Sequence, residues 1–261
     1  MLNLDALERF RIDIADHVAI VRFASPPVNA QDRRAREEMV RVFDALGEDS
    51  EVRSVILTGE GRTFCAGADL KERGGIQADA GGYAVHNRLV RAALDSIPEC
   101  PKPVIAAVNG AAIGAGCVLA LLCDILIVAE DAFLSMTEVD YGMAGGVRHM
   151  MRAFSPSDAR LAIYTARRIT GPELLRMNVA SACVRGDTLL PHALEIATAI
   201  AAKPPAAIAA AKRSFGVTEE MSLREGYRYE QSQTAALAET ADTQEALAAF
   251  REKRKPDFKG E

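Results

Sequence analysis

No two cysteines in this chain stand at Cys-x-x-Cys spacing, which removes the usual zinc and dithiol signatures. The five present, Cys65, Cys100, Cys117, Cys123 and Cys183, fall mostly inside apolar runs. An odd count in such surroundings reads as reduced thiols in a reducing compartment, and the protein is expected to be cytoplasmic. Long apolar runs are lacking too. The longest, Ala111 to Cys123, falls short of the ~20 residues that cross a bilayer, so no membrane association is expected. Met1 to Asp16 is rich in charge and holds no apolar segment, so it does not read as a signal peptide. Nor is there an excess of positive charge. With 31 Lys and Arg against 36 Asp and Glu, the net charge of −5 argues against a general nucleic-acid binder. It leaves room for a local basic pocket around a phosphorylated ligand. No internal repeat or low-complexity linker divides the chain.

What is present is ordinary for a globular protein: 49% apolar and 26% charged residues in a chain of 261. That length suits one large domain or a domain with an appendage. His17 to Phe23 alternates and is β-branched, which suggests a strand stopped by Ser25-Pro26-Pro27. Asp32 to Leu46 carries apolar residues at helical spacing. Val52 to Thr58 and Pro103 to Asn109 are short apolar runs, hence buried strands. Asp124 to Ala129 and Ala132 to Met136 read as further strands. Gly74-Gly75 and Gly81-Gly82 are expected to flank a moving loop, followed by a helix from Tyr83 to Ile97 that ends at Pro98. From Val147 onward the chain reads as mainly helical. Pro156, Pro172, Pro191 and Pro204 lie near expected helix starts, where proline is tolerated. Strands alternating with helices favour an α/β core with a helical C-terminal part.

Two strand-to-turn segments carry the chemistry. Thr63-Phe64-Cys65-Ala66-Gly67-Ala68-Asp69-Leu70 has small residues that let backbone approach a ligand closely. Asn109-Gly110-Ala111-Ala112-Ile113-Gly114-Ala115-Gly116 precedes an apolar helix, Cys117 to Leu122. The first amides of a helix lack internal partners, and the helix dipole favours negative charge there. Two amides converging from two loops would hold a carbonyl oxygen and stabilise an enolate. A glycine-rich strand-to-helix turn is also simply a tight turn, and these segments alone do not separate the two readings.

The ordered set of motifs resembles the enoyl-CoA hydratase/isomerase (crotonase) superfamily. It comprises Phe64-Cys-Ala-Gly-Ala-Asp-Leu70, Lys102-Pro-Val-Ile-Ala-Ala-Val-Asn-Gly110, Gly114-Ala-Gly-Cys117, Cys123-Asp124-Ile125 and Glu138-Val-Asp-Tyr-Gly142. Ser25-Pro-Pro-Val-Asn-Ala30 and Phe250 to Lys259 extend the likeness to both ends. The resemblance implies an α/β fold, a crotonase-like spiral of ββα repeats over 1–200. It also implies a helical trimerisation or lid region over 201–261. It implies an acyl-CoA thioester substrate, with coenzyme A entering as part of that substrate and no metal or other cofactor. A homotrimer or a dimer of trimers is the expected assembly.

By the same resemblance, the amides of Ala66 and Ala115 form an oxyanion hole and Glu138 is the main acid/base. Ala66, Gly67, Ala68, Asp69, Leu70 and Gly114 would line the substrate groove, with Phe250 and Lys253 near the nucleotide end. The other hydratase glutamate falls on Val118. The dienoyl-CoA isomerases carry aspartates at Val118 and Gly146, and both are missing here. The expected reaction is therefore double-bond isomerisation of an enoyl-CoA with one carboxylate. The alternatives are a hydratase whose water is held by another group, a decarboxylase or thioesterase, and a non-catalytic acyl-CoA binder. Asp69 and Asp124 read as structural carboxylates, and His86 and Tyr83 as surface or packing residues. His149 is a second acid/base candidate, set against its commoner fate as an isolated histidine.

Overall fold

Four of the expected strands become consecutive parallel neighbours in one sheet of the computed structural model, which describes residues 7–73 and 80–260. In chain order the first turn is β1 (Phe10–Ala15), β2 (Val18–Phe23), β3 (Ala30–Gln31) and α1 (Arg33–Glu48). The next is β4 (Ser54–Gly59), β5 (Thr63–Cys65), β6 (Gly67–Ala68), α2 (Leu70–Arg73) and α3 (Ala80–Glu99). Then come β7 (Val104–Val108), β8 (Ala111–Ile113) and α4 (Ala115–Leu122). They are followed by β9 (Ile125–Ala129), β10 (Phe133–Ser135) and a 3-10 turn, Glu138–Tyr141. Next are α5 (Val147–Ala153), α6 (Pro156–Thr165), β11 (Ile169–Thr170), α7 (Gly171–Arg176), β12 (Ala182–Val184) and α8 (Gly186–Ala201). The chain ends in α9 (Pro205–Thr218), α10 (Leu223–Leu237) and α11 (Ala241–Glu252).

The first turn gives β1 and β2 to a main sheet, and each later turn feeds one strand to that sheet and one to a smaller sheet. The main sheet runs β1-β2-β4-β7-β9-β12 and the smaller one β11-β10-β8-β5. A short parallel pair, β3 with β6, joins the first two turns beside them. Every residue of β4 and of β7 is buried, which explains their unbroken apolar runs: a parallel strand covered on both faces has no polar side to show. Helix α1 starts where Asp32 accepts from the Ala35 amide, and buries Ala35, Met39, Val42, Phe43 and Leu46 at helical spacing.

The two asparagines of the motifs hold the turns in place. Asn29 donates to the Glu60 and Thr63 carbonyls, and Asn109 to the Gly59 and Gly61 carbonyls. Helix α9 is fastened to the core by Lys212. Its buried ammonium donates to Asp124 at 2.8 Å and to the carbonyls of Lys102 at 2.9 Å and Ile97 at 3.1 Å. Asp124 also accepts from the Val104 amide at 2.7 Å, which makes it the structural carboxylate expected of it.

Some expectations need correction. Gly81-Gly82 lie inside α3 rather than in a loop, and that helix runs through Pro98 to Glu99. Gly74-Gly75 lie outside the described residues. Pro191 sits in the second turn of α8, not at its start. The short strands β11 and β12 interrupt the helical second half, and β1 pairs with β2 in a stretch read only for its charge. All five cysteines are free thiols. Among the described residues, no single helix is long and apolar enough to cross a membrane.

Candidate active site

Two loops meet at the start of α4 because glycines let their backbones touch. A Cβ on Gly116 would lie 2.1 Å from the Cys65 carbonyl oxygen. One on Gly67 would lie 2.6 Å from the Ile113 carbonyl oxygen and 3.4 Å from the Ala115 nitrogen. Gly67 also adopts φ +90°, a conformation that favours glycine. The segment Cys65–Ala68 is thereby pressed against Ile113–Gly116.

Ala115 opens α4, and the first bond within that helix runs from the Val118 amide to the Gly114 carbonyl. The Ala115 N–H therefore has no partner inside the helix and stands at its positive end. Ala66, the expected second donor, is engaged elsewhere: its N–H donates to the Val28 carbonyl at 3.1 Å. Two residues on, the geometry differs. Gln31 stands opposite Ala68 in the β3–β6 pair, and the Asp69 amide donates to the Gln31 carbonyl at 3.1 Å. Successive amides along a strand point to opposite sides, so the Ala68 N–H faces away from β3. Ala66, Ala68 and Asp69 are half-buried and Leu70 is exposed, so this edge is open to a ligand. Asp69 turns its carboxylate onto the Lys71 amide at 2.8 Å, organising its own loop.

Glu138 opens the 3-10 turn, whose end is closed by left-handed Gly142. Its carbonyl accepts from the Met143 amide at 2.9 Å. The side chain reaches the N-terminal end of α4: a Cβ on Gly114 would lie 2.7 Å from Glu138 Oε1. On its other flank a Cβ on Gly145 would lie 3.3 Å from Glu138 Cγ. Cys117 is buried close by. Burial first, and the negative charge of Glu138 second, push its thiol far above the usual range. Glycines at 114 and 145 thus clear the space the carboxylate occupies.

Val118 is buried and packs toward Gly146, where a Cβ would lie 3.2 Å from Val118 Cγ2 and 2.2 Å from Met136 Cε. Apolar atoms therefore stand one helical turn from the Glu138 carboxylate. His149 lies further along α5, half-buried, with a buried Nδ1 that has no hydrogen-bond partner. Burial, then the charge of Arg152, lowers its pKa against the opposing pull of Asp95. Phe250 is exposed near the end of α11, and Lys253 caps that helix in a left-handed conformation. Among the described residues neither bonds to the loops at 66–70 or 114–115.

Two buried polar residues beneath the loops were not singled out from the sequence, Gln31 and Arg36. A side-chain amide of Gln31 donates to the Ala115 carbonyl at 3.3 Å. Arg36 donates to the Gln31 carbonyl at 2.7 Å and to Glu72 at 3.1 Å. The sequence signal was a polar residue directly after Asn29-Ala30 and a charge on the apolar stripe of α1.

Residues 13–261 match the enoyl-CoA hydratase/isomerase family. The chain is similar to 2,3-dehydroadipyl-CoA hydratase of Escherichia coli (strain K12), 34% identical over 89% of this chain and 91% of the other. It is 36% identical to carnitinyl-CoA dehydratase of Proteus mirabilis (strain HI4320), over 90% and 92% of the two chains. A crystal structure of enoyl-CoA hydratase from Bacillus anthracis superimposes with a TM-score of 0.91 at 35% identity, covering 97% of this chain and all of that one. The spiral, the paired loops and these likenesses agree, and the chain is an enzyme of the enoyl-CoA hydratase/isomerase (crotonase) family.

Proposed function

We propose that this enzyme shifts the double bond of an enoyl-CoA, using Glu138 as its one acid/base and the amides of Ala68 and Ala115 as the oxyanion hole. The observation that carries this reading is the placement of Glu138 against Gly114, directly before the Ala115 amide, with Val118 where a second carboxylate would stand. The thioester carbonyl oxygen accepts from the two amides. Glu138 takes a proton from the acyl chain, and the electrons left behind spread onto that oxygen as a dienolate. The proton returns at a different carbon, so the double bond moves and nothing is added. One donor in such a hole contributes about 2.7–4 kcal/mol, and one positioned acid/base about 10²- to 10⁴-fold.

Ala68 takes the place first given to Ala66 because an N–H already bonded to Val28 is poorly placed to hold a second acceptor. Coenzyme A enters as part of the substrate, along Ala66, Gly67, Ala68, Asp69 and Leu70. Phe250 and Lys253 of the helical region 201–261 lie toward its nucleotide end, in a trimer or dimer of trimers in the cytoplasm.

Hydration is the second reading, favoured by the names of the relatives, a hydratase and a dehydratase. It needs a water held by a group other than residue 118. Turnover of a panel of 2-enoyl, 3-enoyl and β-ketoacyl-CoA thioesters, followed by mass spectrometry, separates the two. Isomerisation leaves the mass unchanged and hydration adds one water. Loss of carbon dioxide or of free CoA as the main product would displace both.

A further inference from the structure

Gln31 touches both loops of the proposed oxyanion hole and belongs to neither. Its carbonyl accepts the Asp69 amide at 3.1 Å, fixing the β6 edge on which Ala68 sits. Its side-chain Nε2 donates to the Ala115 carbonyl at 3.3 Å and lies 3.4 Å from Cys65 Sγ. The residue is 1% exposed, so water cannot replace either contact. A leucine or methionine would fill the same space without a donor. The polar side chain therefore ties one loop to the other.

Arg36 holds Gln31 in place from below. It is 1% exposed, donates from Nη2 to the Gln31 carbonyl and from Nη1 to Glu72, and its buried Nε has no hydrogen-bond partner. Burying an incompletely satisfied guanidinium costs stability, and a packed apolar residue would serve the core better. Its positive charge reaches the loop: burial pushes the Cys65 thiol up to about 11, and the Gly67 amide, Gln31 and Arg36 oppose that rise.

We infer that Gln31, locked by Arg36, is a positioning residue that sets the distance between the Ala68 and Ala115 amides. This inference rests on the oxyanion hole proposed above. Reacting groups displaced by about 1 Å lose up to about 10²-fold in rate, so a slack hole should lower kcat while leaving binding of the CoA portion nearly intact.

The test uses a 2,4-dienoyl-CoA as probe, because its absorption moves to longer wavelength when the thioester carbonyl is polarised. The wild type should bind it with such a shift. Gln31→Met should bind it with similar affinity, show a smaller shift, and lose roughly tenfold or more in kcat at a nearly unchanged KM. An equal shift and kcat in a folded Gln31→Met variant overturn the inference while leaving the hole in place. No shift in the wild type overturns the hole itself, and the inference with it. If Gln31→Met does not fold, Gln31→Glu carries the test. Its protonated carboxyl can donate to the Ala115 carbonyl and its ionised form, which the neighbouring Arg36 favours, repels it, so the shift should be lost at high pH and recover only as pH falls. A shift independent of pH, at the wild-type size, overturns the inference.

Discussion

Gly114 and Glu138 are in contact through the space a side chain would fill: a Cβ on Gly114 would stand 2.7 Å from Glu138 Oε1. Gly114 also has φ +54°, so any side chain there is strained as well as crowded. Gly114→Ala is expected to cost about 1–3 kcal/mol of stability and to push the carboxylate away from the Ala115 amide. Turnover should fall by about 10- to 100-fold. Steady-state rates beside a denaturant titration check this, and wild-type turnover in the variant would show that the contact does not position the acid/base.

The Lys212–Asp124 pair offers a test of how α9 is held. Lys212 has all three ammonium donors satisfied while only 7% of its side chain is exposed. Lys212→Met removes the partner of a carboxylate and leaves two carbonyls without their donor. A loss of about 3–5 kcal/mol is expected, partly recovered by adding Asp124→Asn. A single-variant loss under about 1 kcal/mol in urea unfolding would mean that water takes over the contacts.

The folded protein holds the His149 pKa below its ordinary value, mainly through burial. The unfolded chain therefore binds the proton first as pH falls. Stability from the neutral ring is fully present above the unfolded value of about 6.5 and is lost as pH drops through it toward the folded value. The Tm of the wild type should fall more steeply than that of His149→Gln between about pH 7 and 5. Parallel Tm curves would remove His149 from the account.

Much of this was legible in the chain. The strands β4 and β7 were apolar runs because burial on both faces leaves no polar alternation, and the glycine segments announced loops in backbone contact. The identity of the amide donor was not legible. Ala66 and Ala68 flank the same glycine, and only the Gly67 twist and the strand parity decide which N–H meets Val28 and which faces outward. Gln31 and Arg36 escaped notice because polar residues near a helix start ordinarily face water. Their burial arises from β6 and α2, contributed by the following turn of the spiral. Strands of two or three residues, such as β11 and β12, are too short to show a period.

Large apolar side chains stand out on the C-terminal helices: Phe215 is 77% exposed, Leu223 91% and Phe250 84%. Such exposure on α9, α10 and α11 is what the proposed packing of this region against further copies of the chain would cover. Light scattering is expected to give a trimer or a multiple of it. A monomer at micromolar concentration would count against the proposed assembly and against placing 201–261 at a subunit boundary.

The choice between isomerisation and hydration turns on Val118. Adding water to a conjugated double bond needs a proton delivered to one carbon and a water held for attack at the next. Moving a double bond needs only a base that takes a proton and returns it elsewhere. Val118 is 4% exposed and packs beside Gly146 and Met136, so a water at that point would lose hydrogen bonds that an apolar wall cannot replace. Wild-type hydration of a straight-chain 2-enoyl-CoA should therefore be slow, with 3-enoyl-CoA isomerisation faster. Glu138→Gln should lower either reaction by about 10²- to 10⁴-fold, because the amide cannot carry the proton. Val118→Glu should raise hydration if the longer side chain fits. Crotonyl-CoA hydration by the three proteins, run beside 3-enoyl-CoA isomerisation, makes the comparison. Wild-type hydration on the order of 10² s⁻¹ would sink the isomerase reading. The neutral, partly buried imidazole of His149 would then be the first group to examine as the holder of the water.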